Sequence, residues 1–369
     1  MKRAAAAAIS LMTGLAMLTG CSRAEGEETI QPLVADAIEE SDSEAEAVKE
    51  EDESPLIPEI DTDIKIHAGS RIAVVSKCVK GEYWKMVKKG MEDAVKEINK
   101  AYGYKKDDQI TMTFEGPDNE EDVETQINTI DAVIAENPDV LCISASDMDS
   151  CEAQLEAAKE NGIPVIAFDS NVAEKKLVKA YRGTDNVQVG KMAAYQLGSA
   201  LGKMGKVAVF SAQQKTKSVQ DRVEGFMNNI GKYGDIEVVE TIYSDQVDDM
   251  EASMKEVLEK YPTLDGVFCT NADITEMYLN LEKSDEHDAP ALVGVDATTK
   301  QQEAIRNGEE IGCVSQQPYA MGYQTIWAAV ETTAPKKSVV IEKNVLSNPA
   351  WIDADCLDDP DYSGYLYTE

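Results

Sequence analysis

The sequence predicts an α/β protein of two doubly wound parallel-sheet lobes. Three observations carry this. From Arg71 onward, short apolar runs alternate with stretches of helical period, with little between them. The strand-like runs are almost continuously apolar, as in sheets covered by helices on both faces. There are also enough of them for two sheets rather than one.

The elements follow in order. Residues 72–76 (Ile72-Ala-Val-Val-Ser76) form a β-branched run, read as the first strand. In 83–101, Trp84, Val87, Met91, Val95 and Ile98 recur at helical spacing with lysines and acids opposite. Strand 110–114, helix 121–136, strand 140–144, helix 151–161 and strand 164–168 come next. The pattern then restarts: helix 187–201, strand 206–210, helix 219–232, strand 236–243, helix 250–261 and strand 266–269. Helix 274–282, strand 291–295, helix 301–307, strand 311–315, helix 319–333 and a last strand 338–345 complete it.

The first 21 residues are of another kind. Met1-Lys2-Arg3 is basic, 4–18 is apolar, and Leu18-Thr19-Gly20-Cys21 follows at once. A basic start, a short apolar run and a small-residue site make a secretory signal, too short for a membrane span. Its end resembles the bacterial lipobox, which implies acylation of Cys21 and export of the chain behind it. From Ser22 to Ile64 there are sixteen acids against Arg23 and Lys49, no aromatic residue, and Pro32, Pro55 and Pro58. Such a composition cannot bury enough apolar surface to offset ordering, so 22–66 is expected to be a disordered acidic linker.

The whole chain has 35 Lys and Arg against 69 Asp and Glu, a formal charge of −34. Nucleic acid is excluded as a partner, because its binding requires basic side chains that displace counterions. Beyond Cys21 there are six cysteines and only two histidines, with no CxxC pair, so no metal site is expected. Cys142, Cys269 and Cys313 fall in apolar strand-like runs and read as buried thiols.

In open α/β sheets, ligands bind beyond the carboxyl ends of the strands. The residues there are mostly small or polar: Ser76-Lys77, Asp169-Ser170-Asn171, Thr270-Asn271, Asp296 and Gln316-Gln317 are among them. No GxGxxG or GxxxxGK[ST] occurs at these turns, so neither a nucleotide phosphate nor any other cofactor is expected. Carboxylates, amides and an arginine suit a polyhydroxylated ligand, whose hydroxyls both donate and accept. Tyr83 and Trp84 open the first helix, where aromatic faces could pack on a sugar ring. Two readings stay open for Trp84, since it is also in phase with the core residues Val87 and Met91.

The ordered motifs Ile72–Ser76 with Tyr83-Trp84 and Gly90, Gly162–Asp169, Gly183–Asn186 with Gly190, Arg222–Phe226, Val293–Asp296 and Ser315–Pro318 resemble one family. It is the type I periplasmic (solute-binding) proteins for simple sugars, the ribose-binding-protein-like group. The resemblance spans about 71–345. It implies two lobes joined by a multi-strand hinge, 67–186 with 318–344 forming one and 187–317 with 345–369 the other. It also implies ligand-binding roles for Tyr83, Trp84, Asp169, Arg222, Asn271, Asp296 and Gln316. The Asp169-Ser170 pair, and Lys77 directly after the first strand, look more like the branch that binds rhamnose and autoinducer-2, so Lys77 and Ser170 join the expected site. Arg222 departs from the autoinducer binder of that branch.

The expected function is a monomeric, lipid-anchored receptor on the outer face of the bacterial cytoplasmic membrane or in the periplasm. It would bind a monosaccharide or sugar-like molecule and deliver it to the subunits of an ABC permease. A sensor for a membrane kinase or chemoreceptor, or an autoinducer-2-type receptor, is the alternative. A repressor with the same two-lobed body would carry a DNA-binding segment where this chain has a signal and an acidic linker. An enzyme is not expected: there is no Ser–His or Cys–His pattern, and the carboxylates are predicted beside groups that satisfy them.

Overall fold

The computed structural model describes residues 57–281, 289–335 and 338–368. The expected signal and lipidation at Cys21, and the linker as far as residue 56, lie outside the described residues. Two six-stranded sheets organise the body. The first contains β1 (Arg71–Val75), β2 (Thr111–Glu115), β3 (Val140–Ile143), β4 (Val165–Phe168), β5 (Ala180–Thr184) and β11 (Asn344–Ser347), in the spatial order β11-β5-β4-β3-β1-β2. The second contains β6 (Met204–Ser211), β7 (Asp235–Tyr243), β8 (Gly266–Cys269), β9 (Ala291–Val295), β10 (Gly312–Ser315) and β12 (Ala350–Ile352), ordered β12-β10-β9-β8-β6-β7. Every pairing is parallel except that of β12 with β10.

Burial explains the strand sequences. The central β3, β4, β8 and β10 are buried at every position, because helices cover both faces. The edge strand β2 alternates exposed and half-buried residues, and its sequence TMTFE alternates to match.

In the first lobe, α1 (Glu82–Tyr102) and α9 (Pro318–Glu331) pack on one face of the sheet, while α2 (Val123–Ala135) and α3 (Glu152–Glu160) bury the other. α1 and α9 cross at glycines. A Cβ on Gly90 would stand 2.0 Å from the Tyr319 carbonyl oxygen, and one on Gly322 would stand 2.1 Å from that of Val87. The second lobe repeats the device with α4 (Asn186–Ala200) and α5 (Lys217–Ile230), where a Cβ on Gly190 would meet the Arg222 carbonyl oxygen at 1.9 Å. Its remaining helices are α6 (Met250–Lys260), α7 (Ala272–Leu279) and α8 (Thr299–Asn307). Side chains cap several helices: Asp185 for α4, Asp249 for α6, Asn271 for α7, and a Thr298–Gln301 capping box for α8.

Four features differ from the sequence reading. β5 was not expected, because AYRGT has no β-branched run; its Arg182 is buried by donating to the carbonyls of Tyr181 and Glu342. The strand expected over 338–345 is β11, Asn344–Ser347, all of it paired with β5, so the lobe boundary expected at 344/345 falls inside a strand. β12 and a final 3₁₀ segment, Pro360–Tyr365, were also not expected. The end of the expected disordered linker is packed instead: Ile60, Ile64 and Ile66 join the core of the first lobe. The Tyr102 hydroxyl lies 2.9 and 2.8 Å from the carbonyl oxygens of Asp61 and Ile64, and His67 N–H donates to Thr333 Oγ1 at 3.0 Å. An average over 22–66 hides three isoleucines at its end.

Candidate functional site

The carboxyl ends of the two sheets face one another across a cleft of about 650 Å3. The turns after β1, β4, β6, β8, β9 and β10 all contribute to its walls, as the strand-end rule requires.

On the first lobe the centre is Asp169, directly after β4. Its backbone is left-handed, with φ of 54°, a conformation that aspartate tolerates better than most residues. Lys77 Nζ stands 2.9 Å from Asp169 Oδ2, and Ser144 Oγ donates to that oxygen at 2.7 Å. Tyr83 OH donates to the other oxygen, Oδ1, at 2.7 Å. Burial alone would lift the Asp169 carboxyl, but Lys77 and the hydroxyl donors outweigh it and hold the group below its ordinary value. Burial would likewise lower Lys77; the Asp169 and Glu120 carboxylates prevail and keep it charged. Burial, then Asp169, pushes the Tyr83 phenol well up, so it stays a donor.

Ser170 is fully buried behind this centre. Its oxygen accepts from Lys77 Nζ at 3.1 Å and donates to Asp169 Oδ2 at 3.0 Å. Its hydroxyl also lies 2.7 Å from Ser218 Oγ of the second lobe, a hydrogen bond that ties the two lobes together.

The second lobe is built on Asp296, after β9, again left-handed with φ of 79°. Gln316 Nε2 and Tyr367 OH donate to its Oδ1 at 2.7 and 2.9 Å, and Ala272 N–H donates to Oδ2 at 3.0 Å. Gln316 Oε1 accepts from Thr184 Oγ1 at 2.8 Å, which links Asp296 to the end of β5. Arg222, on α5, lines the cleft, its Nε donating to Asn186 Oδ1 at 2.8 Å and its Nη1 to the Thr270 carbonyl at 2.7 Å. Among the described residues no hydrogen bond engages its Nη2. Asn271 caps α7 through its oxygen, at 3.1 Å from Ile274 N, which leaves the amide nitrogen toward the cleft.

Trp84 resolves both ways. It is buried in the α1 core, and it also forms cleft wall, donating from Nε1 to Glu120 Oε1 at 2.7 Å. Lys77 Nζ sits 5.7 Å from its ring centre and 3.7 Å from Glu120 Oε2. Asp273, on the opposite wall, is exposed to the cleft, with protein close around its carboxyl. Enclosure first, then Glu120, Glu276 and Asp296, pushes its carboxyl up to about 7. Among the described residues, no group of three or more His, Cys, Asp or Glu is arranged to hold a metal ion, and no helix is long and apolar enough to cross a membrane.

Residues 72–337 match the family model described as a periplasmic binding protein domain. The chain belongs to the periplasmic binding protein family. It is 26% identical over 220 residues to the ribose import binding protein of Bacillus subtilis, covering 60% of this chain and 71% of that one. A solute binding protein of an ABC transporter from Agrobacterium vitis, with bound D-fucose, is 26% identical with a TM-score of 0.72, covering 81% of this chain and all of that one. A second from the same organism, bound to α-D-tagatopyranose, has a TM-score of 0.74 at 24% identity and 81% coverage, and shares the fold.

In this periplasmic binding protein, eight of the nine expected residues line the cleft: Lys77, Tyr83, Trp84, Asp169, Arg222, Asn271, Asp296 and Gln316. Ser170 does not; its bonds hold Lys77 and Asp169 from behind. The expected site did not include Ser144, Glu120, Gln213, Thr216, Ser218 or Tyr367. Ser144 had a signal, as the first residue after β3. Gln213 and Thr216 close the lobes on each other: Gln213 Nε2 donates to the carbonyls of Ser146 and Glu120, both at 3.1 Å, and Thr216 Oγ1 donates to Ser146 O at 2.6 Å.

Proposed function

We propose that this protein is a lipid-anchored receptor that closes its two lobes around a monosaccharide or related polyol and passes it to an ABC permease. One observation carries the reading. Each lobe presents a pre-positioned aspartate at its strand ends, and among the described residues Arg222 Nη2 and the Asn271 amide nitrogen keep donors unengaged beside an aromatic wall at Trp84. Carboxylates that accept and guanidinium or amide groups that donate are what paired ring hydroxyls require. Fixed in advance, such groups lose little freedom when ligand arrives. Ligand touching both lobes favours the closed form.

The sugars named for the relatives support this class. The reading takes 67–186 with 318–347 as one rigid body and 187–317 with 348–369 as the other. Binding rather than catalysis fits two aspartates that are held in place by fixed donors and still have acceptor sites for a ligand, one donor each being bonded to Asp169 Oδ1 and Asp296 Oδ2.

Calorimetric titration with D-ribose, D-allose, D-fucose, D-arabinose, D-tagatose and xylitol tests it. At least one should bind at micromolar strength or tighter, and Asp169→Ala should abolish the heat. Binding no tighter than millimolar across the panel would sink the sugar reading. Anchoring is tested separately by alkyne-fatty-acid labelling in cells, where Cys21→Ser should remove the label.

A further inference from the structure

We propose that the C-terminal segment is a working part of the cleft: Tyr367 positions Asp296 and, by resting on Tyr83, favours closure of the lobes. This rests on the reading that the cleft holds a sugar.

The segment is fastened to the second lobe. Tyr367 N–H donates to the Ala297 carbonyl at 3.0 Å, Gln302 Nε2 donates to Tyr367 O at 2.8 Å, and Ser315 Oγ donates to Tyr365 O at 2.5 Å. The Tyr367 side chain touches both lobes. The ring is 1% exposed and packs within the core of the first lobe, its centre 5.9 Å from that of Tyr83. At the ring's end the hydroxyl donates to Asp296 Oδ1 at 2.9 Å.

A symmetry follows. Tyr83 holds Asp169, Tyr367 holds Asp296, and the two tyrosines touch, giving a continuous path Asp169–Tyr83–Tyr367–Asp296, of which only Tyr367 stands behind the cleft wall. Tyr367 does not line the cleft, so it acts through Asp296 rather than on ligand. A carboxylate in left-handed backbone, fixed by three donors, keeps its aim before ligand arrives. Because the ring is attached to one lobe and buried in the other, any hinge motion that parts Tyr83 from Asp296 must disturb it.

The test uses the full chain and two readouts. Met148 N–H donates to Lys215 O, from one lobe to the other, at 3.1 Å, so its hydrogen exchange reports closure without ligand. In Tyr367→Ala this exchange should accelerate several-fold while β1 and β6 keep wild-type protection. Tyr367→Phe keeps the ring and removes the hydroxyl. It should leave Met148 near wild type and weaken the tightest binder of the calorimetric panel by roughly 3- to 10-fold, the worth of one hydrogen bond. Acceleration of Met148, β1 and β6 together in Tyr367→Ala would show that the tail only holds the fold, and unchanged exchange with unchanged affinity would also overturn the proposal. If no compound of the six-member panel binds the wild type, the sugar reading falls and the exchange arm alone decides the tail.

Discussion

Lys77 Nζ lies 2.9 Å from Asp169 Oδ2, with side chains 5% and 4% exposed, so the cleft floor holds a nearly dry ion pair. Such a pair adds little over apolar packing, yet removing one partner strands the other. Lys77→Met should therefore cost about 3–5 kcal/mol at neutral pH, measured by denaturant unfolding. Asp169 is depressed in the fold, so its contribution is present above the unfolded value, about 3.9, and is lost as pH falls through the folded one. The deficit of Lys77→Met should narrow with acid; a deficit independent of pH would contradict the ion pair.

Arg222 is held at two of its nitrogens by Asn186 and the Thr270 carbonyl. A lysine has one nitrogen and cannot hold that fork while reaching a ligand. Arg222→Lys should weaken sugar binding roughly 10-fold or more, the loss of a charge-assisted hydrogen bond. Equal affinity of both proteins in calorimetry would remove Arg222 from the binding set.

Gly190 lets α4 approach the backbone that carries Arg222. A Cβ there would stand 1.9 Å from the Arg222 carbonyl oxygen and 2.5 Å from Phe226 N, so the helices must part. Gly190→Ala should lose about 1–3 kcal/mol of stability by overpacking, and affinity with it. Gly234→Ala, with nothing within 4 Å of the added carbon, is the matched control. Thermal unfolding of the two variants side by side decides.

Asp273 titrates near 7 in the fold, above its unfolded range. The folded state then binds the extra proton, and its stability falls as pH rises from about 4 toward 7 and levels off beyond. Asp273→Asn should flatten that slope and gain stability at pH 8, by under ~1 kcal/mol because cleft water screens the group. A slope unchanged in the variant would place the titration elsewhere.

The alternation of runs was readable because buried strands and amphipathic helices write their environment into local composition. Central strands such as β8 and β9 match the expected ranges to the residue. β5 and β12 were not readable, since their burial comes from partners far along the chain rather than from their own residues. The same division holds in the site. Asp169, Asn271, Asp296 and Gln316 stand just after apolar strands, where the sequence already placed a cleft, and the family resemblance singled them out there. Thr216 and Ser218 had no such mark, and they matter only because the other lobe comes to meet them.

The sequence alone determined two parallel sheets, the strand ends where a cleft must form, and a chemistry of carboxylates and donors suited to hydroxyls. Those properties are local, repeated every few residues, and survive without knowledge of any contact. Only the tertiary structure decided that Ser170 stands behind the wall, that the chain end returns to Asp296, and that two tyrosines join the lobes. Such facts depend on pairs separated by up to 284 residues, Tyr83 and Tyr367, whose contact no local pattern encodes.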